Sequence, residues 1–168
     1  PTAAFIRALE CRVRDQLIGV RTITSEGLKL ENMASFAATL YVALFSLCRH
    51  FSAPYRSSNP TWLRKPKGDD RISIDRGVIV KTFVSSLESM ASALANRSDE
   101  MGTEHASSDI FLADTSSKRL AEGSVDMVLT SPPYCTRIDY SAATRIELAV
   151  LHPLVDLTME ELGRKMLG

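Results

Sequence analysis

Residues 125–134 read Val-Asp-Met-Val-Leu-Thr-Ser-Pro-Pro-Tyr, an apolar run that drives straight into Ser131-Pro132-Pro133-Tyr134. Two adjacent prolines cannot donate to a sheet ladder, so a strand must stop there. Upstream, Asp109 to Asp114 reads DIFLAD, a second short apolar run, which ends in an acid. Neither run shows the strict alternation of a strand with one wet face. That favours strands buried on both faces, and this pair decides the expected fold class, α/β. Ser116 to Gly123 joins them by a turn or short helix, so a hairpin and neighbouring parallel strands both remain open.

Working outward, the chain before these runs is helical in pattern. Ala3 to Ile18 places Phe5, Ile6, Leu9, Val13 and Leu17 at helical spacing. Leu30 to Phe51 is the strongest helix candidate; its apolar positions nearly surround the axis, which implies burial on more than one side. Glu31 in its first turn and Arg49 and His50 in its last suit the helix dipole. Val78 to Asn96 returns to helical spacing, and Ala142 to Leu151 does so again near the end. Between the second and third helices, residues 52–77 form a loop by their Pro, Ser, Asn and Gly content. The division expected is a helical portion over 1–106, with a basic loop near 52–77, and a portion over 107–168 that carries the two short strands and the Ser-Pro-Pro-Tyr loop, together one incomplete domain. The chain begins with Pro1 and stops at Gly168 just after a helix-like pattern, as a segment of a longer protein would.

Bulk composition narrows the class without naming a function. The 168 residues suffice for a real core, and 45% apolar with 24% charged residues is ordinary for a soluble protein. Net charge is zero, so overall charge draws no nucleic acid, although a local basic face remains open. Cys11, Cys48 and Cys135 are far apart without metal-ligand spacing and read as reduced thiols in a cytoplasmic protein, with nucleoid association as the variant. His50, His105 and His152 are scattered, so no metal site is expected. No signal peptide is visible, and Met33 to Cys48 is too short for a comfortable membrane span, so no membrane partner is expected.

The chemistry concentrates at Ser131-Pro132-Pro133-Tyr134. The exocyclic amino group of a nucleobase is a poor nucleophile, because its lone pair is delocalised into the ring. Acceptors aimed at its two N–H groups favour a nucleophilic, sp³-like nitrogen and stabilise the positive charge that develops on alkylation. The Ser131 hydroxyl and the Pro132 carbonyl are two such acceptors, and Pro133 helps hold that carbonyl in place. Tyr134 offers a π-face to a base swung out of its helix. A rigid turn closing a strand is the plainer explanation.

TSPPY resembles motif IV of the amino-methylating DNA methyltransferases, whose tetrapeptide is Asp/Asn/Ser-Pro-Pro-Tyr/Phe/Trp, and residues 112–141 around it also look like that family. The resemblance implies part of a Rossmann-like fold dependent on S-adenosylmethionine, with a helical N-terminal portion and DNA as partner. It implies a site-specific enzyme of DNA methylation, such as one of restriction-modification. Ser131, Pro132, Pro133 and Tyr134 become the catalytic site. The Ser form is typical of cytosine-N4 enzymes, so cytosine is favoured over adenine. Asp114 would lie near the donor's adenine, or is an ordinary solvated strand end. The family's Gly-x-Gly donor turn is missing, since no two of the eight glycines have that spacing. The missing part would then lie elsewhere in the same enzyme or in another chain. The alternatives are a nucleic-acid-binding module without a donor site, and a methyltransferase acting on RNA or a protein amide.

Two further groups have a nucleic-acid reading. Arg137 could reach a phosphate and Tyr140 line the base pocket, or Arg137 pairs with Asp139 and Tyr140 packs. Trp62 with Arg64 and Lys65 could contact phosphates with an aromatic wedge, or Trp62 anchors an exposed loop. Cys135 reads as incidental, because amino methylation needs no covalent enzyme intermediate.

Overall fold

A computed structural model describes residues 1–17, 33–57, 63–64, 66–100, 120–131, 140–155, 158 and 160–161. Helix α1, Thr2–Leu17, presents Phe5, Ile6, Leu9 and Val13 to the core, while Leu17 is exposed at its end. Helix α2, Ser35–Phe51, is the centre of the structure. Ala37, Tyr41, Ala43, Leu44 and Leu47 are all buried, because α1 and the later helices Arg76–Glu100 and Arg145–Leu151 pack around it. The wide apolar surface legible in its sequence is used on several sides at once. It begins later than the expected Leu30, so its first turn holds no acid, and Ala34 before it supplies no side-chain cap. Its end is closed by Ser52, whose hydroxyl and amide both donate to the Cys48 carbonyl, at 2.7 and 2.9 Å.

A short 3₁₀ turn, Ala53–Tyr55, leads into the loop, and helix α3, Arg76–Glu100, leaves it. Asp75 starts α3: its Oδ1 accepts the amides of Gly77 at 2.7 Å and Val78 at 3.4 Å, satisfying donors that the first turn leaves open. Ile79 and Phe83 are buried against α2, with Leu87 and Met90 partly so. Thr2 ties the loop to α1, its hydroxyl donating to the Ile72 carbonyl (3.2 Å) and accepting the Ile74 amide (2.9 Å). Helices α4, Tyr140–Ala143, and α5, Arg145–Leu151, complete the body, and Val150 and Leu154 join the core.

The α/β expectation is corrected here. Among the described residues there is no strand, only an isolated antiparallel bridge between Arg56 and Leu63, so this part of the chain is helical and not Rossmann-like. Asp109 to Asp114 lies outside the described residues. Residues 125–130, expected on two-sided burial, are buried on neither side: Met127 is 81% and Leu129 96% exposed. The physical reason is that β-propensity reports fit to a pleated, half-buried surface, and a strand takes its hydrogen bonds from a neighbour. The helices close their own backbone bonds; the 125–130 run meets no ladder in the described part.

Candidate functional site

The segment carrying the motif starts from a tight turn. Ser124 donates its amide to Ala121 O at 3.2 Å and its hydroxyl to the same oxygen at 2.7 Å, with Gly123 at φ 71°, where a side chain would be strained. From that turn the exposed run leads to Ser131, which is itself exposed. Pro132, Pro133, Tyr134, Arg137 and Asp114 lie outside the described residues. Tyr140 opens α4, on the far side of the undescribed stretch.

The basic loop is tied to itself. Arg64 Nη1 donates to Asp70 Oδ2 at 2.6 Å, and its guanidinium lies 5.3 Å from the Tyr55 ring centroid. The Lys67 amide reaches the same carboxylate oxygen at 3.2 Å, and the Tyr55 hydroxyl donates to the Asp70 carbonyl. The Arg64 hydrogen bond, followed by the Lys67 amide, holds the Asp70 carboxyl below its ordinary range. Arg64 thus shares its charge with Asp70 through Nη1, while its side chain stays 44% exposed. Trp62 and Lys65 lie outside the described residues.

The most elaborate polar cluster is one that sequence reasoning missed. Glu10, on the inner face of α1, is almost fully buried. Its Oε1 accepts the Tyr41 hydroxyl at 2.8 Å, and its Oε2 accepts Arg7 Nη1 at 3.0 Å. Arg14 Nε lies 3.3 Å from Oε1, yet finds no hydrogen-bond geometry there, so that contact is one of charge alone. Arg7 also donates to the Val150 carbonyl at 3.1 Å and to that of Ala149, satisfying the carbonyl end of α5. One carboxylate therefore joins α1 to α2 and, through Arg7, to α5. Burial, followed by the hydrogen bond to Glu10, raises the Tyr41 phenol well above its ordinary range. The spacing of Arg7, Glu10 and Arg14 along one helix was the only local signal. Tyr41 lies 31 residues further on, out of reach of any local pattern.

Arg7 and Glu10 also border a cavity of about 350 Å³ between α1, the end of α2 and α5, lined mainly by Ile6, Phe51, Ile72 and Val150. Cys48 opens onto it, and burial pushes its thiol up to about 11, so it is a protonated, unreactive group at neutral pH. Nearby, Arg49 Nε of α2 pairs with Glu147 Oε1 of α5, and its Nη2 donates to Ala143 O at 3.1 Å. Among the described residues no three His, Cys, Asp or Glu side chains converge as metal ligands.

S-adenosylmethionine presents ribose hydroxyls, an ammonium and a carboxylate, and its recognition calls for free acceptors and a close-approaching backbone. Glu10, the carboxylate in the cavity wall, is already engaged by Arg7, Arg14 and Tyr41, and Gly123 sits in an isolated turn with nothing nearby. The described residues do not fit the donor. No family model, curated protein or solved structure matches this chain.

Proposed function

We propose that this chain is the base-holding segment of an S-adenosylmethionine-dependent DNA methyltransferase acting on an exocyclic amino group, cytosine favoured over adenine. The observation that carries the proposal is the run VDMVLTSPPY itself, supported by the exposure of Ser131 at the end of an exposed apolar segment. An accessible hydroxyl next to two prolines is what a flipped base requires. In this reading Ser131 Oγ and the Pro132 carbonyl accept the two amino N–H groups, which makes the nitrogen more nucleophilic, and Tyr134 stacks on the base. A donor bound by residues other than those described would supply the methyl group from its sulfonium and leave as the neutral thioether, and the amino nitrogen would give its proton to solvent or Ser131.

A second reading is favoured by one observation, the absence of any Gly-x-Gly turn together with the poor fit of the described residues to the donor. There the chain binds a nucleic acid and performs no transfer by itself.

One experiment separates them. Labelled methyl transfer is measured to unmethylated duplex DNA, RNA and a glutamine peptide, alongside fluorescence anisotropy with a duplex carrying a mismatched cytosine. Transfer to DNA that is lost in Ser131→Ala and Tyr134→Ala supports the first reading. DNA binding that needs Tyr134, without transfer, selects the second. Transfer to RNA or peptide alone moves the activity to that substrate. Neither binding nor transfer by the folded chain refutes both.

A further inference from the structure

Helix α3 carries a second apolar stripe, set about a quarter turn round the axis from the one packed on α2. Gly77, Val80, Val84, Leu87, Ala91 and Leu94 follow one another at alternating steps of three and four, the seam spacing of a two-stranded coiled coil. Ile79 and Phe83 face the core and Leu87, partly packed on it, borders both stripes, but Val80 is 44%, Val84 43% and Leu94 62% exposed. Gly77, Val80 and Val84 line a surface groove together with Lys81 and Glu88.

We propose that this stripe is a self-association surface, on which α3 of a second copy lies antiparallel about a two-fold axis between Ser85 and Ser86. Self-complementarity carries the argument. In that register Gly77 faces Leu94 of the second copy, Val80 faces Ala91 and Val84 faces Leu87, so every large side chain meets a smaller one. The same register brings Lys81 beside Glu88 of the second copy, and symmetry makes that pair twice, as an isologous interface requires. A parallel pairing would set Gly77 on Gly77, leaving a gap. Arg76–Asn96 is also apolar and long enough to cross a membrane, but the burial of Ile79 and Phe83 in the protein core leaves only one side of it for lipid. A single helix pair is smaller than a standard interface, so the dimer is concentration-dependent.

Sedimentation velocity on the full chain, over a roughly hundredfold concentration range from low micromolar upward, tests this. The expected result is a monomer–dimer equilibrium whose dissociation constant rises by about tenfold or more in Val84→Glu. Leu94→Gln, beyond the part of α3 packed in the core, is expected to weaken it with the far-UV circular dichroism unchanged. Lys81→Glu weakens the dimer, and Lys81→Glu combined with Glu88→Lys restores it. A monomer throughout overturns the proposal, as does a dimer indifferent to Val84→Glu and Leu94→Gln. Failure of the double charge exchange to restore association overturns the antiparallel register. Partitioning of the wild-type chain into phosphatidylcholine vesicles that is lost in Val84→Glu assigns the stripe to lipid instead.

Discussion

Glu10→Gln isolates the buried charge at nearly constant volume. Glutamine offers one acceptor oxygen and one donor nitrogen, whereas the native groups around this position, Tyr41 Oη–H and Arg7 Nη1–H, both donate, and Arg14 adds a second positive charge. After the substitution one donor faces the new amide N–H, and two guanidinium groups lose their shared anion. Breaking a fully buried ion pair from one side costs about 3–5 kcal/mol. The Arg7 side chain is 45% exposed and Arg14 partly so, and water there offsets some of the loss. The expected destabilisation is therefore about 2–3 kcal/mol, or roughly 4–12 °C in Tm for a chain of this size. Urea and thermal unfolding followed at 222 nm measure it. A double-mutant cycle with Tyr41→Phe separates the pairwise part, expected at about 1–2 kcal/mol because the acceptor is charged and buried. A Glu10→Gln protein within about 0.5 kcal/mol of wild type would refute the reasoning, since the helices would then be joined by apolar packing alone.

Alkaline pH should lower the stability of the protein over two overlapping ranges. Burial raises Cys48 to about 11 and, with the Glu10 hydrogen bond, raises Tyr41 further, so their contribution is complete below the unfolded values and is lost as pH climbs through the folded ones. Tyr41→Phe removes the higher-pH stage in pH-dependent denaturation curves. Leu44→Ala, at a fully buried position of α2, should cost about 3–4 kcal/mol in urea unfolding, whereas Leu129→Ala should change stability by less than about 0.5 kcal/mol. Ser131→Ala is expected to leave the unfolding midpoint unchanged because its side chain is exposed, while lowering any methyl transfer or base-dependent DNA binding by about tenfold or more. A large stability change in that variant would mark Ser131 as a packing residue.

The periodicity of α1 and α3 was visible in the sequence to within a few residues, because a helix closes its hydrogen bonds over four residues and its apolar face repeats locally. The width of the apolar surface on α2 likewise foretold several neighbours. Its beginning was not visible, since Ala34 offers no capping side chain and apolar spacing marks a face rather than an end. The motif tetrapeptide offers a candidate chemistry to the sequence reader because it lies in four consecutive side chains. The setting of the run before it was not legible. Val125 to Thr130 has the composition of a buried strand, but a strand is completed by a partner distant in sequence, and the described fold holds none for it. The Glu10 cluster fails to show in the sequence for the same reason. Arg7, Glu10 and Arg14 are neighbours on one helix, but burial of that carboxylate depends on Tyr41 and on the carbonyls of Ala149 and Val150. Residue types and short spacings thus determined the helices and the candidate chemistry; which charges lie buried and which apolar run stays exposed were decided only by tertiary packing, because both depend on what the rest of the chain places against them.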